Sequence, residues 1–317
     1  MKVVHSLNEV ERVRNSVVTV GTYDGVHLGH QEILREVIRR AKARNGRSVC
    51  CTFDPHPKEV VGKMDRPVEI LTTVDERVEV LEEFGFDVVF IIHFTYEFSR
   101  QTPKQFYEKY LVNGVGISEE VEGYDHMFGR DREGSIEELK RIGSIFGFTV
   151  TILPPFTVDG EVINSTKVRQ VLREGDVQRA SRYLGREYSL EGFVVRGEGR
   201  GITLGFPTAN LKSVSEKKLV PKDGVYFVRA KLESESYFGM MNIGTRPTFE
   251  TDHRRTLEVN LFDFDQSVYG KRIRIHFLQR IRDEVRFASA EQLIERMELD
   301  RQECLRIKEQ FIHNLAS

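Results

Sequence analysis

Two histidines three residues apart, His27 and His30, end the segment Gly21-Thr22-Tyr23-Asp24-Gly25-Val26-His27-Leu28-Gly29-His30. The apolar run Val17–Val20 precedes it. Behind it, from Gly29 to Arg44, Ile33, Leu34, Val37, Ile38 and Ala41 recur at helical spacing. The histidines therefore sit on a strand-to-helix turn. A helix N-terminus presents free backbone N–H groups and the positive end of its dipole, which suits phosphate. Two imidazoles beside it can donate hydrogen bonds to charge that develops on a phosphate chain. Gly21 would permit a sharp exit from the strand, and Gly29 a close approach of ligand to backbone. Thr22 and Asp24 share the turn. Two other readings stay open: an ordinary loop with incidental histidines, or a metal site built on His27 and His30. The chain has no GxxxxGK[ST], and no GxGxxG follows the first strand, so neither phosphate fingerprint applies.

A second phosphate-handling candidate is Asn164-Ser165-Thr166-Lys167-Val168-Arg169, at the start of a helical pattern. Ser165 or Thr166 could simply cap that helix, a contribution of about 1 kcal/mol. Otherwise their hydroxyls and N–H groups hold the distal phosphates of a nucleotide, and Arg169 adds charge.

A third is Gly197-Glu198-Gly199-Arg200-Gly201-Ile202-Thr203-Leu204-Gly205, followed by Phe206-Pro207-Thr208-Ala209-Asn210. Gly199, Arg200, Gly201 and Gly205 could cradle phosphates through backbone N–H groups. Thr208 and Asn210 offer hard oxygen ligands on alternate residues of an extended segment, which suits Mg²⁺ together with phosphate. Glu258 is a carboxylate in an otherwise apolar strand. Facing solvent it would be unremarkable, whereas facing a pocket it could deprotonate a hydroxyl nucleophile.

The elements that must carry these residues change character along the chain. Up to residue 184, strands near 17–20, 48–53, 87–92, 119–123 and 148–153 alternate with helices near 29–44, 74–84, 103–112 and 135–146. A short hairpin near 158–162 and two helices, 166–173 and 177–183, follow. That alternation predicts a parallel sheet covered on both faces. Beyond Arg186 short β-rich runs dominate, near 188–195, 224–232, 236–243, 255–261 and 271–280. They predict an antiparallel barrel or sandwich, with one amphipathic helix over 289–315 closing the chain. The expected domains are residues 1–184 and 185–317.

The HxGH turn paired with the Ser165–Arg169 segment resembles the nucleotidyltransferase superfamily. Thr52-Phe53-Asp54-Pro55-His56-Pro57 and Gly123-Tyr124-Asp125-His126-Met127-Phe128-Gly129 resemble the flavin-site segments of prokaryotic FAD synthetases. That resemblance implies a Rossmann-like N-terminal domain with flavin contacts from Phe53, Asp125 and Phe128. It also implies ATP contacts from Gly21, Thr22, Asp24, His27, Gly29, His30, Ser165, Thr166 and Arg169. The Gly-rich loop, Pro-Thr-Ala-Asn, the Asn242–Phe249 and Leu257–Asp265 segments and Tyr269-Gly270-Lys271 resemble riboflavin kinases. Thr208 and Asn210 would then bind Mg²⁺ and ATP, and Glu258 would be the catalytic base. Taken together the motifs are similar to bifunctional riboflavin kinase/FMN adenylyltransferases. The implied substrates are riboflavin, FMN and ATP, with FAD as product.

Composition narrows the alternatives. At 317 residues, 39% hydrophobic and 30% charged, the chain can bury two cores and is neither disordered nor collagen-like. Its net charge of −2 excludes a polycation made for non-specific nucleic-acid binding. Cys50, Cys51 and Cys304 supply no disulfide framework and read as small hydrophobes in a reducing cytosol. No apolar run approaches the ~18 residues of a membrane span. The expectation is a cytoplasmic enzyme without nucleic-acid or membrane partners. The rivals are a transferase for another phosphorylated substrate, an RNA-binding module gripping through Lys271-Arg272-Ile273-Arg274-Ile275-His276, and a flavin-binding regulator without catalysis.

Overall fold

The computed structural model describes residues 1–62, 68–124, 134–197, 205–245 and 255–316. They form two compact units, Met1–Ser165 and Thr166–Ser317.

The first unit holds a six-stranded parallel sheet of β1 (Lys2–Val4), β2 (Ser16–Val20), β3 (Arg47–Asp54), β4 (Val88–His93), β5 (Ile117–Gly123) and β6 (Thr149–Leu153). Their order is β1-β4-β3-β2-β5-β6. From β2 the chain winds one way through β3 and β4, and from β5 the other way to β6. The switch point therefore lies between β2 and β5, where ligands of open parallel sheets sit. The HxGH turn leaves β2 at that crevice. Both faces are covered, as alternation predicts. Val18 and Val20 pack with Tyr107 and Leu111 on one face. Val17 packs on the other with Leu34 and Val37 of α1 (Leu28–Ala43).

Two differences from expectation stand out in this unit. The sheet gains β1, three residues too short to announce themselves by pattern. The helix expected over 103–112 is only α-helical to Phe106 and then widens into π-type turns over Tyr107–Val115. Gly116, at φ 83°, closes that run by donating its N–H to the Leu111 carbonyl.

The second unit is a closed antiparallel barrel of β9 (Tyr188–Val195), β10 (Ala209–Ser213), β11 (Gly224–Leu232), β12 (Glu235–Thr245), β13 (Arg255–Leu261) and β14 (Arg272–Arg282). The circular order is β10-β13-β12-β11-β14-β9. The hairpin β7 (Thr157–Val158) and β8 (Glu161–Val162) belongs to the first unit. The helices after it, α7 (Ser165–Glu174) and α8 (Val177–Leu184), pack in the second, apart from Ser165 itself. The long closing helix α9 (Ala290–Ala316) seats Cys304 and Ile307 among Phe206, Phe227, Met240 and Phe262. Arg282, at the end of β14, forks onto the buried Asp300 carboxylate of α9 at 2.6–2.9 Å and fixes its angle of approach.

Candidate active sites

The turn after β2 is held from beneath by groups acting mostly on backbone. Tyr23 and Val26 adopt left-handed φ of 47° and 39°, unusual for such side chains. What holds them there is the buried Asp24 carboxylate. It accepts from the Leu71 N–H at 2.8 Å, the Thr72 N–H at 3.0 Å and the Thr72 hydroxyl. The Thr72 hydroxyl oxygen in turn accepts from the Gly25 N–H at 3.0 Å. Asp24, expected among the ATP contacts, braces the turn in this way. Thr22 contributes its carbonyl, which accepts from Arg77 Nη1 at 2.6 Å. The same Arg77 nitrogen also donates to the Thr52 hydroxyl and the Phe53 carbonyl, tying the ends of β2 and β3 together. Gly21 does not have a left-handed φ. It is glycine because a Cβ would lie 3.0 Å from the Tyr23 ring.

His27 caps α1: its Nδ1 accepts the His30 N–H at 3.3 Å, so in the neutral ring the proton sits on Nε2. The two imidazoles stack, with centroids 3.6 Å apart and planes 22° from parallel. A Cβ at Gly29 would press on the His27 ring at 3.3 Å, with the Ile163 carbonyl at 3.5 Å. Ser165 Oγ donates to the Asp24 carbonyl at 2.9 Å, so the late segment meets the early turn as expected. Thr166 and Arg169 follow on α7 and belong to the second compact unit.

Tyr23 sets its ring edge on His30 at 5.1 Å and pairs its hydroxyl with that of Thr19. Thr19 donates to Glu122 at 3.2 Å, and the Val20 N–H donates to the same oxygen at 2.6 Å. Burial pushes the Tyr23 phenol well above its ordinary pKa. Beside Glu122 on β5, Glu120 is fully buried and accepts the Tyr107 hydroxyl at 2.8 Å. Burial, and then the charge of Glu122, hold Glu120 well above the usual carboxylate range.

Phe53, one residue before the end of β3, lies half-buried against Phe94 and Phe98, at centroid distances of 5.5 and 6.0 Å, and forms one side of an aromatic cluster. Asp125 and Phe128 lie outside the described residues.

In the barrel, Gly199, Arg200 and Gly201 also lie outside the described residues. Gly205, at φ 78°, makes the turn into Phe206-Pro207-Thr208. Asn210 stands directly opposite Glu258 in the β10–β13 pair, and Glu258 stands opposite Asn242 of β12. Residues paired across antiparallel strands share a face, with Cβ atoms about 5 Å apart. Asn210, Glu258 and Asn242 thus form a polar row across three strands, each half-buried. The Asn210 carboxamide occupies the space over Gly197, where a Cβ would lie only 2.0 Å from Nδ2. Sequence reasoning missed three contributors here and in the first unit: Asn242, Asn260 and Arg77. None carried a signal of its own: Arg77 follows the Thr73–Glu76 capping box on a charge-rich helix, and only the structure shows it buried.

Among the described residues no group of three or more His, Cys, Asp or Glu could hold a metal ion. The oxygen donors of Thr208 and Asn210 fit a cation that takes its remaining ligands from phosphates and water. The basic strand is neutralised in place. Arg272 and Arg274 pair with Glu191, His276 with Glu187, and Lys271 with Glu233. Burial raises the Glu187 carboxyl, but hydrogen bonds from His276 and Arg229 outweigh it and leave the pKa lowered. No helix among the described residues is long and apolar enough to cross a membrane.

Residues 9–167 match the FAD synthetase family, and residues 184–308 match riboflavin kinase. The bifunctional riboflavin kinase/FMN adenylyltransferase of Bacillus subtilis is 35% identical, over 95% of this chain and 95% of its own length. The protein of that name from Listeria monocytogenes is also 35% identical, covering 91% of each chain. That from Escherichia coli K12 is 34% identical over 92% of this chain and 91% of its own. A solved structure from Streptococcus pneumoniae, described as a macrolide-efflux protein, superimposes with a TM-score of 0.86 at 31% identity. It covers 95% of this chain and 97% of its own.

Proposed function

Since the chain belongs to the bifunctional riboflavin kinase/FMN adenylyltransferase family, we propose that residues 185–317 phosphorylate riboflavin and residues 1–184 adenylylate the FMN that results. The protein is an enzyme of FAD synthesis: riboflavin and ATP give FMN and ADP, then FMN and a second ATP give FAD and pyrophosphate. The observation that carries the assignment of residues is the register pair Asn210–Glu258. It sets a carboxylate opposite Asn210, which we assign to the phosphate-binding segment.

In the kinase reaction Glu258 accepts the proton of the riboflavin 5′-hydroxyl as that oxygen attacks the γ-phosphorus and ADP leaves. Thr208 and Asn210 orient the nucleotide, and Gly199, Arg200, Gly201 and Gly205 enclose its phosphates. Mg²⁺ held at Thr208 and Asn210 would neutralise charge on the transferring phosphoryl group.

In the adenylyl reaction the FMN phosphate, already ionised, attacks the α-phosphorus of ATP, so no side-chain base is required. His27, His30 and the N-terminus of α1 face the charge that develops there. Ser165, Thr166 and Arg169 hold the departing pyrophosphate, and Phe53, Asp125 and Phe128 hold the flavin. Because ATP is co-substrate of both steps, we place the enzyme in the cytoplasm. Incubation with riboflavin, ATP and Mg²⁺, followed by chromatographic separation, should yield FMN and then FAD. Omitting Mg²⁺ should stop both steps, and turnover in its absence would remove the metal from the scheme.

A further inference from the structure

We infer that Asn260 is a positioning residue for phosphoryl transfer: its amide holds the Pro207 carbonyl and thereby fixes Thr208 and Asn210 against Glu258. The inference rests on the assignment of those residues to the kinase site. Asn260 is only 7% exposed, and its side chain donates to the Pro207 oxygen at 2.7 Å. A carbonyl partner can only accept, so the group facing it is the NH₂ of the carboxamide.

The contact falls one residue before Thr208. The preceding residue, Phe206, is buried with Cys304 and Ile307 of α9. The segment is therefore clamped twice, by a ring in the core and by a carbonyl on β13, just where its ligand residues begin. Asn260 is also two residues from Glu258 on the same strand, so both lie on one face of β13. Proton acceptor and loop brace are carried by one rigid element. Any shift of the loop relative to β13 must first break the Asn260 contact. Misplacement of reacting groups by about 1 Å can cost on the order of a hundredfold in rate.

The test uses the full chain. Asn260→Leu keeps the shape and removes the donor, whereas Asn260→His places a ring N–H where the amide stood. FMN formation is measured against varied MgATP. Riboflavin binding is measured by quenching of its fluorescence, and FAD formation from supplied FMN serves as control. Asn260→Leu should lower kinase kcat/KM for ATP roughly 10- to 100-fold. Riboflavin affinity and FAD formation should stay within about twofold of wild type. Asn260→His should recover most of the loss. A leucine variant with wild-type kcat/KM for ATP would overturn the inference. So would equal loss in both variants together with lost riboflavin binding, because Asn260 would then be a core residue only. If the leucine chain does not fold, Asn260→Gln decides: its amide is displaced by one methylene, and an unchanged kcat/KM for ATP in it overturns the inference. Thr208→Ala separates the two levels. Full kinase activity there would mean that the site assignment has failed, whatever Asn260 does.

Discussion

The turn after β2 and the β10–β13 pair, each assigned above to an ATP site, are built on opposite plans. In the turn the fixed groups act on backbone: Asp24 on two N–H groups, Arg77 on two carbonyls, Ser165 on one carbonyl. What they leave at the helix N-terminus is a stacked pair of imidazoles. In the barrel the register of two strands places the side chains, Asn210 against Glu258. The difference follows from the chemistry assigned to each. An ionised phosphate nucleophile needs charge stabilisation and no base, whereas a hydroxyl needs its proton removed. The carboxylate belongs to the second site for that reason.

The sharpest way to break this contrast is Glu258→Gln. The carboxamide keeps the shape and removes the proton acceptor. Riboflavin phosphorylation should fall by roughly 10³-fold or more, while FAD formation from supplied FMN and the thermal midpoint stay as in wild type. Chromatography of both products in one assay checks it, and a variant that keeps kinase activity would make Glu258 a structural strand residue. Next in size, His27→Ala and His30→Ala should each slow adenylyl transfer by about 10²-fold, the usual loss for one donor at a developing charge. Kinase activity should persist. If both variants make FAD at full rate, the imidazoles are incidental to the turn.

A smaller effect sharpens the boundary between the two regions. Alternation of strand and helix runs to residue 184, and the riboflavin kinase match begins there. In packing, however, α8 lies against β14 and β9, and the Leu172 carbonyl of α7 accepts the Lys222 N–H. A fragment of residues 166–317 should therefore melt several degrees above one of residues 185–317, with kinase activity in both. Each kcal/mol is worth roughly 2–8 °C in a domain of such size. Equal melting temperatures would mean that the two helices add nothing to the barrel.

Much of this was legible in sequence because it is periodic. Strands β9, β11 and β13 and the helix Val74–Phe84 have the bounds that alternation and caps predict. The HxGH turn was legible because a strand and a helix flank it. What escaped was set by partners distant in sequence. Arg77 looks like one more surface charge on an amphipathic helix until its donors meet Thr22, Thr52 and Phe53. The bracing role of Asp24 is set by Leu71 and Thr72, 47 and 48 residues away. Asn242 and Asn260 are ordinary strand polar residues whose meaning lies in register. The π-type run after Phe106 has an ordinary helical pattern, and only the closure at Gly116 reveals the extra residue per turn.

The subtlest expected effect concerns the acid pair under the turn. Glu120 and Glu122 share a buried place on β5, and burial with the neighbouring charge keeps Glu120 protonated well above the ordinary carboxylate range. In the unfolded chain the same carboxyl ionises near its ordinary pKa of 4.5. The folded state therefore retains a proton that the unfolded state releases. Stability from this group is fully present below pH 4.5 and declines as pH rises toward the folded pKa. Glu120→Gln removes that linkage. Its carbonyl oxygen can still accept the Tyr107 hydroxyl, and its NH₂ can still face Glu122, so the neutral form is kept without the cost of protonation. Melting followed at several pH values should show the variant above wild type at pH 7–8 by a few degrees, with the gap narrowing toward pH 4.5. Both activities should be retained, because Glu120 touches neither set of reacting groups. A gap that stays constant with pH would mean that Glu120 is ionised in the folded protein, and the proton would then have to sit elsewhere in the pair.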